Sequence, residues 1–316
     1  MDPILDLLLN SSEPSVRFKA QVNVIGVDAA SPEVRQLQQE IKTSPRAQTL
    51  LSERDSAGML PYHPYSKWLG AQWVLACLAD IGYPAGDESL LPLRRQVQDW
   101  LLSDKHLKSI KTLNGRVRRC GSQEGNAVYA MFALGLADDR TAELADHLLR
   151  WQWSDGGWNC DKNPAASHSS FMETLTPLRG LNLYARATGS PQVYAAVERA
   201  AEIFLKRNLY QRQQDNTIIS PEFTRLHYPC YWHYDILFGL KVMAETGFIT
   251  DRRCQPALDL LTSRRLPGGG FAAEAKFYQQ TQRKISGRSL VTWGSNRKGS
   301  LNEFVTADAL YVLRFR

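Results

Sequence analysis

The stretch His227-Tyr228-Pro229-Cys230-Tyr231-Trp232-His233-Tyr234-Asp235 places two imidazoles, a thiol and a carboxylate in one short run of the chain. These are transition-metal donors, and His168 and Cys160, from an earlier part of the chain, extend the set. Pro229 breaks any helical register between His227 and His233, so the same residues also read as the polar and aromatic lining of a helix start, with Asp235 or His233 capping it. Zinc or another divalent metal on His227, Cys230, His233 and His168 therefore stays open without being favoured, and no cofactor is expected.

Five carboxylates sit inside otherwise apolar stretches: Glu124, Glu173, Asp235, Glu303 and Asp308. A carboxylic acid desolvated there is driven toward its protonated form and can donate that proton. Asp235 and Glu173 lead as general acids, with His233, Glu124, Glu303 and Asp308 as further catalytic candidates. The competing use is pairing with Lys67, Arg179 or a tryptophan N–H to hold the fold together. A third group is basic. Lys105, Lys108, Lys111, Arg116, Arg118 and Arg119 lie in one segment with no acid among them, and together with Lys67 they suit a diphosphate as well as they suit a solvated loop. Aromatic residues do not interleave with these charges and no groove-reading helix follows, which argues against nucleic acid. Trp73, Tyr129, Phe171, Tyr231, Trp232 and Tyr234 offer π faces that can line an apolar cavity and stabilise a developing cation, although at helical spacing most such rings are core.

The elements that must position these groups repeat along the chain. Leu148-Leu149-Arg150 runs into Trp151-Gln152-Trp153-Ser154-Asp155-Gly156-Gly157-Trp158, the end of an amphipathic helix followed by a Gly-Gly turn and an aromatic plug. The same grammar returns, more loosely, before Tyr65, Gly125, Tyr231 and Glu303. Strongly apolar helices are expected at 65–81, 123–136, 169–187, 231–246 and 302–315, after a first one at 16–26, with Pro177 kinking its helix. Amphipathic helices alternate with them. The spacing predicts an all-α chain: an α/α toroid of about six inner and outer helix pairs, with 1–15 as a lead-in and 16–316 as one domain. No strand is required, and the polar stretch 271–301 reads as a lid or a mobile segment. Parallel inner helices would gather their positive N-terminal dipoles at one mouth, where an anion is welcome.

Composition sets bounds. Hydrophobic residues make up 43% of the 316, which is core enough for a globular domain. The net charge of +6 is mild and reads as a solvated surface. Five scattered cysteines without a CxxC fit reduced thiols, and no apolar run is long enough to span a bilayer. With an acidic start at Met1-Asp2 the expected location is cytoplasmic, peripheral membrane contact and oligomeric state being left open.

The string Gln152-Trp153-Ser154-Asp155-Gly156-Gly157-Trp158 resembles the QW-type repeat of squalene-hopene cyclases, and the inner/outer pairing resembles the β subunits of protein prenyltransferases. Both belong to the terpenoid cyclase/protein prenyltransferase superfamily of α/α toroids, which includes small single-toroid bacterial proteins. The resemblance spans nearly the whole chain past residue 15 and implies an enzyme acting on an isoprenoid or other apolar substrate in a central lumen. The family's catalytic motifs do not carry over. The cyclase Asp-x-Asp-Asp has only Ala137-Asp138-Asp139-Arg140 near it, at the wrong end of the helices, and the prenyltransferase zinc pair is replaced by Ser167-His168-Ser169. A non-catalytic toroid that binds a lipid or peptide, and a metal-dependent hydrolase or transferase around His227, Cys230 and His233, are the alternatives. Helical toroids also serve glycosidases and zinc-dependent lanthionine cyclases, whose Cys signature is missing here.

Overall fold

The computed structural model describes residues 2–283 and 285–316; Met1, with its part in the acidic start, and Lys284 lie outside the described residues. Helices come in the order α1 (Pro3–Leu9), α2 (Pro14–Phe18, continued by a π-helix Lys19–Ile25), α3 (Pro32–Thr43), α4 (Pro45–Leu51), α5 (Ala71–Asp80), α6 (Leu91–Leu101) and α7 (Asp104–Lys108). A hairpin β1 (Lys111–Leu113) and β2 (Arg116–Arg118) leads to α8 (Gly121–Ala133), α9 (Asp139–Trp151), α10 (Phe171–Thr188), α11 (Pro191–Leu205), α12 (Ile236–Thr246) and α13 (Gln255–Ser263). Two short strands, β3 (Gln279–Gln280) and β4 (Arg288–Ser289), precede α14 (Glu303–Leu313).

The apolar helices form the inner ring. In turn α5 packs on α8, α8 on α10, α10 on α12, α12 on α14, and α14 on the π-helix that continues α2. Phe18 seats against Gly82, just past α5, and closes the circle. Each inner helix carries an amphipathic partner on its outside: α3 on α2, α6 on α5, α9 on α8, α11 on α10 and α13 on α12. The outer helix α3 buries only Val34, Leu37 and Ile41, one stripe at helical spacing, whereas α8 is buried from Gly121 through Met131 on all sides. The short helix α1 packs on α2 and on the π-helix. Its Ile4 touches the turn at Gly269, and Ile4 and Leu8 are buried. The architecture is the all-α, α/α toroid that the periodicity predicts.

Details differ for local reasons. Inner helices begin later than expected: α5 starts at Ala71 because Trp68 takes a left-handed φ of 67° and Gly70 caps the helix, and α12 starts at Ile236 because Asp235 caps it. The basic segment contains strands where none was expected. Asn114 and Gly115, both at positive φ, turn β1 back on β2 in an antiparallel hairpin. α10 is continuous through Pro177. There a Cβ added to Gly125 would lie 2.3 Å from Pro177 N, so α8 and α10 meet backbone to backbone. In the stretch 271–301, Tyr278, Val291 and Trp293 are buried, and Trp68 Nε1 donates to Phe277 O at 3.0 Å, so this segment is packed onto the rim. No helix among the described residues is long and apolar enough to cross a membrane.

Candidate functional site

All six inner helices send a polar side chain to the axis, and these side chains satisfy one another. Lys19 from the π-helix binds Asp80 of α5 and Asp308 of α14, both at 2.9 Å. Lys241 of α12 binds the same two acids at 2.7 and 3.1 Å. Arg179 of α10 reaches Asp80 at 3.3 Å and Glu245 at 2.6 Å, and its guanidinium lies 3.7 Å from the centre of the Tyr129 ring on α8. Tyr228 Oη donates to Asp80 at 2.7 Å. Three cations thus face three acids in the middle of the ring. Burial alone would raise Asp80, but Lys19, Lys241 and Arg179 outweigh it and hold the carboxyl well below the usual range. The central lumen expected from the sequence is therefore occupied. Asp308, read as a candidate acid, is paired there with Lys19 and Lys241, and Tyr129, read as substrate-binding, lies under the Arg179 guanidinium. A cavity of about 390 Å³ opens next to this network on the C-terminal face, lined by Tyr129, Arg179, Glu245 and Tyr311 among others.

The N-terminal face is different. The close approach of α8 and α10 sets Glu173, in the first turn of α10, against the start of α8. Ser122 N–H and Oγ–H donate to Glu173 Oε2 at 3.1 and 2.7 Å. Trp232 Nε1–H donates to Oε1 at 3.3 Å, and Cys160 Sγ lies 3.6 Å from the same oxygen. Glu173 is 4% exposed and, among the described residues, forms no ion pair. Cys120, the residue before α8, belongs to the same cluster: its sulfur, that of Cys160 and a Glu173 oxygen all lie within 4.8 Å of one another. Tyr65 faces this group from outside, and burial first, then the charges of Glu173 and Cys120, push its hydroxyl up to about 12.

From Glu173 the rim continues outward. Lys67 Nζ lies 5.3 Å above the Trp232 ring and 3.4 Å from His233 Nε2. His233 stacks on Phe277 at 3.7 Å between ring centres, and burial, then the charge of Lys67, bring its imidazole down to about 3, so it is neutral at ordinary pH. Burial also lowers the Lys67 ammonium. Lys67 in turn lines a cavity of about 390 Å³ with Tyr62, Ser66 and Arg288.

The other sequence candidates have local duties. Asp235 caps α12, accepting from Phe238 N at 2.7 Å and His227 N at 2.8 Å, and His227 Nδ1 is 2.7 Å from its carboxylate. Cys230 Sγ–H donates to His227 O at 2.9 Å. His227, Cys230 and Asp235 are thus brought together and buried; the thiol and the carboxylate have partners, whereas His227 Nε2 has none among the described residues, and His168 is exposed and outside the group. Glu124 is gripped by Arg119, whose Nε lies 2.9 and 3.0 Å from its two oxygens; burial still raises its carboxyl. Glu303 is half-buried at the start of α14. Of the basic residues, Arg118 stacks on Trp153 and donates to Ala166 O, and Arg116 lies over the same ring, so the segment ties loops together and does not form an open anion cradle. Phe171 and Tyr234 pack with Phe204 and Phe223, and Trp73 and Tyr231 pack with Trp68, all as core. Of the predicted groups, Glu173, Trp232, His233 and Lys67 come together.

Sequence reasoning missed Cys120 and Ser122. Cys120 and Cys160 lie about one repeat apart and both precede an inner helix, which is the signal that places them at one rim.

No family profile matches the chain, and no curated protein matches it. Solved structures do. A type II terpene cyclase, MstE, from Scytonema, in complex with geranylgeranyl dihydroxybenzoate, aligns over 100% of this chain and 99% of its own at 15% identity and a TM-score of 0.43. A family 88 glycosyl hydrolase from Bacteroides vulgatus aligns over 99% and 98% at 12% identity and a TM-score of 0.47. A polysaccharide lyase aligns over 99% and 96% at 12% identity and a TM-score of 0.45. These proteins differ in chemistry, and what this chain has of its own is the α/α toroid that its ring of helix contacts defines.

Proposed function

We propose that the chain is a toroid enzyme whose reaction centre is at the N-terminal rim, around Glu173, and that it acts on an isoprenoid carrying an anionic head group. The observation that carries this reading is the setting of Glu173: a buried carboxylate with hydrogen-bond donors on both oxygens and, among the described residues, no ion-pair partner. In this reading Glu173 is the group that exchanges a proton with a polarised double bond of a substrate lying on the rim. Lys67, lining the adjoining cavity, supplies a cation for a diphosphate or carboxylate, and the faces of Trp232 and Tyr65 supply π density for a carbocation. This reading keeps Glu173 of the two leading acids and sets aside Asp235, which caps α12, and Asp308, which pairs with Lys19 and Lys241.

The test is incubation of the purified chain with prenyl diphosphates and neutral polyprenyl lipids of several lengths, with product analysis by mass spectrometry. Turnover by the native chain, lost by at least 100-fold in Glu173→Gln while the melting temperature is kept, supports the reading. Turnover that survives Glu173→Gln overturns the role of Glu173, and ligand binding with no product from any of these lipids overturns the enzyme and leaves a non-catalytic lipid-binding toroid.

A further inference from the structure

The rim offers Glu173 a second source of positive charge, and two thiols point at the place where it would sit. Cys120 Sγ, Cys160 Sγ and a Glu173 oxygen come from three different stretches of the chain and lie within 4.8 Å of one another. Two of these atoms, Cys160 Sγ and Glu173 Oε1, are 3.6 Å apart. A tetrahedral zinc with sulfur at about 2.3 Å and carboxylate oxygen at about 2.1 Å holds those two ligands about 3.6 Å apart.

The surroundings support ligation. Ser122 N–H and Oγ–H hold Glu173 Oε2 from behind, leaving Oε1 turned to Cys160, with Trp232 Nε1–H on that same oxygen. Carboxylate ligands oriented by such outer hydrogen bonds are the rule in metal sites. The two cysteine-bearing segments are themselves stitched together, Arg119 N–H donating to Asn159 O at 3.1 Å, so both sulfurs are fixed by the backbone. Both cysteines are half-buried, which leaves an entry path for an ion. The other donor group, His227 with Cys230 and Asp235, is fully buried, and its carboxylate and thiol are committed to Phe238 N–H and the His227 carbonyl, so it is the weaker candidate.

From this geometry we infer that Cys120, Cys160 and Glu173 form a binding site for one zinc-class divalent ion at the N-terminal rim, with three protein ligands and a fourth position open. Binding releases the two thiol protons to solvent, so a divalent ion held by two thiolates and one carboxylate leaves the site with the same single negative charge it had before, now shared over the metal and its three ligands. Three ligands plus an open position is the pattern of catalytic sites, whereas structural zinc is closed by four. The inference keeps the location and substrate class proposed above, and rests on that reading only for the claim that the open position faces substrate. In the metal-bound form Glu173 is a ligand, and the acid of the rim is the metal with whatever occupies its fourth position.

The experiment is elemental analysis of the full-length protein purified without chelators, followed by replacement with cobalt and absorption spectroscopy. About one zinc per chain, and a thiolate-to-cobalt charge-transfer band in the near ultraviolet, are expected. Cys120→Ser and Cys160→Ser each lower affinity at least 100-fold and remove part of that band. Trp232→Phe, which deletes one outer hydrogen bond and keeps both thiols, weakens zinc about 10- to 100-fold. Cys230→Ser leaves metal content unchanged. Metal-free protein with no cobalt band, or zinc retained in both Cys120→Ser and Cys160→Ser, overturns the inference, and because the native chain is read directly, misfolding of a variant cannot mask that outcome. Prenyl turnover by metal-free protein sinks the metal and spares the rim enzyme; stoichiometric zinc without turnover does the reverse.

Discussion

Replacing Asp80 by Asn keeps its shape and removes one negative charge from the axis. Asp80 holds Lys19 at 2.9 Å, Lys241 at 2.7 Å, Arg179 at 3.3 Å and the Tyr228 hydroxyl at 2.7 Å. Three buried cations then face only Asp308 and Glu245. Breaking one partner out of a buried ion cluster costs about 3–5 kcal/mol, because the remaining charges stay desolvated. With an unfolding entropy of roughly 2.1 cal/mol/K per residue, 316 residues give about 0.7 kcal/mol per degree, so the melting temperature at pH 7 falls by about 4–7 °C. The pH dependence has a definite sign. The Asp80 carboxyl is held below its ordinary value, so its contribution is complete above about pH 4 and is lost as pH falls through the folded value. The gap between the native chain and Asp80→Asn is therefore flat from about pH 5 to 8 and narrows below pH 4. Lys241→Met added to Asp80→Asn restores the balance of charge, and the double loss is smaller than the sum of the single ones. Differential scanning calorimetry measures all three. A drop under about 2 °C at pH 7, or a gap that stays constant down to pH 3, refutes the view that these charges depend on one another.

Gly125→Ala pushes a methyl onto Pro177 N, 2.3 Å away, and destabilises by about 1–3 kcal/mol by chemical denaturation; because the same contact sets Ser122 on Glu173, any rim turnover falls with it. Asp235→Ala removes the cap of α12 and leaves the His227 N–H without its acceptor, for a loss of about 2–4 kcal/mol, whereas prenyl turnover per folded molecule is kept. The His233 imidazole, observed by NMR, stays neutral down to about pH 4 and protonates near 3, so its share of stability is complete above about 6.5 and declines as pH falls toward 3; a midpoint near 6.5 contradicts its burial against Phe277.

The fold was legible because it rests on periodicities that survive divergence. Helices apolar on every side alternate with helices apolar on one stripe, and only two concentric rings bury both kinds. The Gly156-Gly157-Trp158 turn marked one joint directly. The axis was not legible, since Lys19 and Asp308 are 289 residues apart and nothing in either neighbourhood names the other. A lysine in an apolar helix reads alone as an anomaly; only ring closure makes it a counter-ion. The five inner carboxylates were found as residues, but their fates were not separable, because a cap (Asp235), a paired acid (Glu124) and an unpaired one (Glu173) look alike in one dimension. Cys160 was grouped with the wrong donors and Cys120 was missed, because the two are drawn together by the β2 and Asn159 backbones and not by any local motif.

A structure of the chain with a prenyl diphosphate tests the central claim most directly. The account predicts the head group on Lys67, the hydrocarbon against Trp232 and Tyr65, and a reactive carbon within about 4 Å of the Glu173 centre. Ligand in the opposite cavity beside Arg179 and Glu245, with the rim empty, would contradict it.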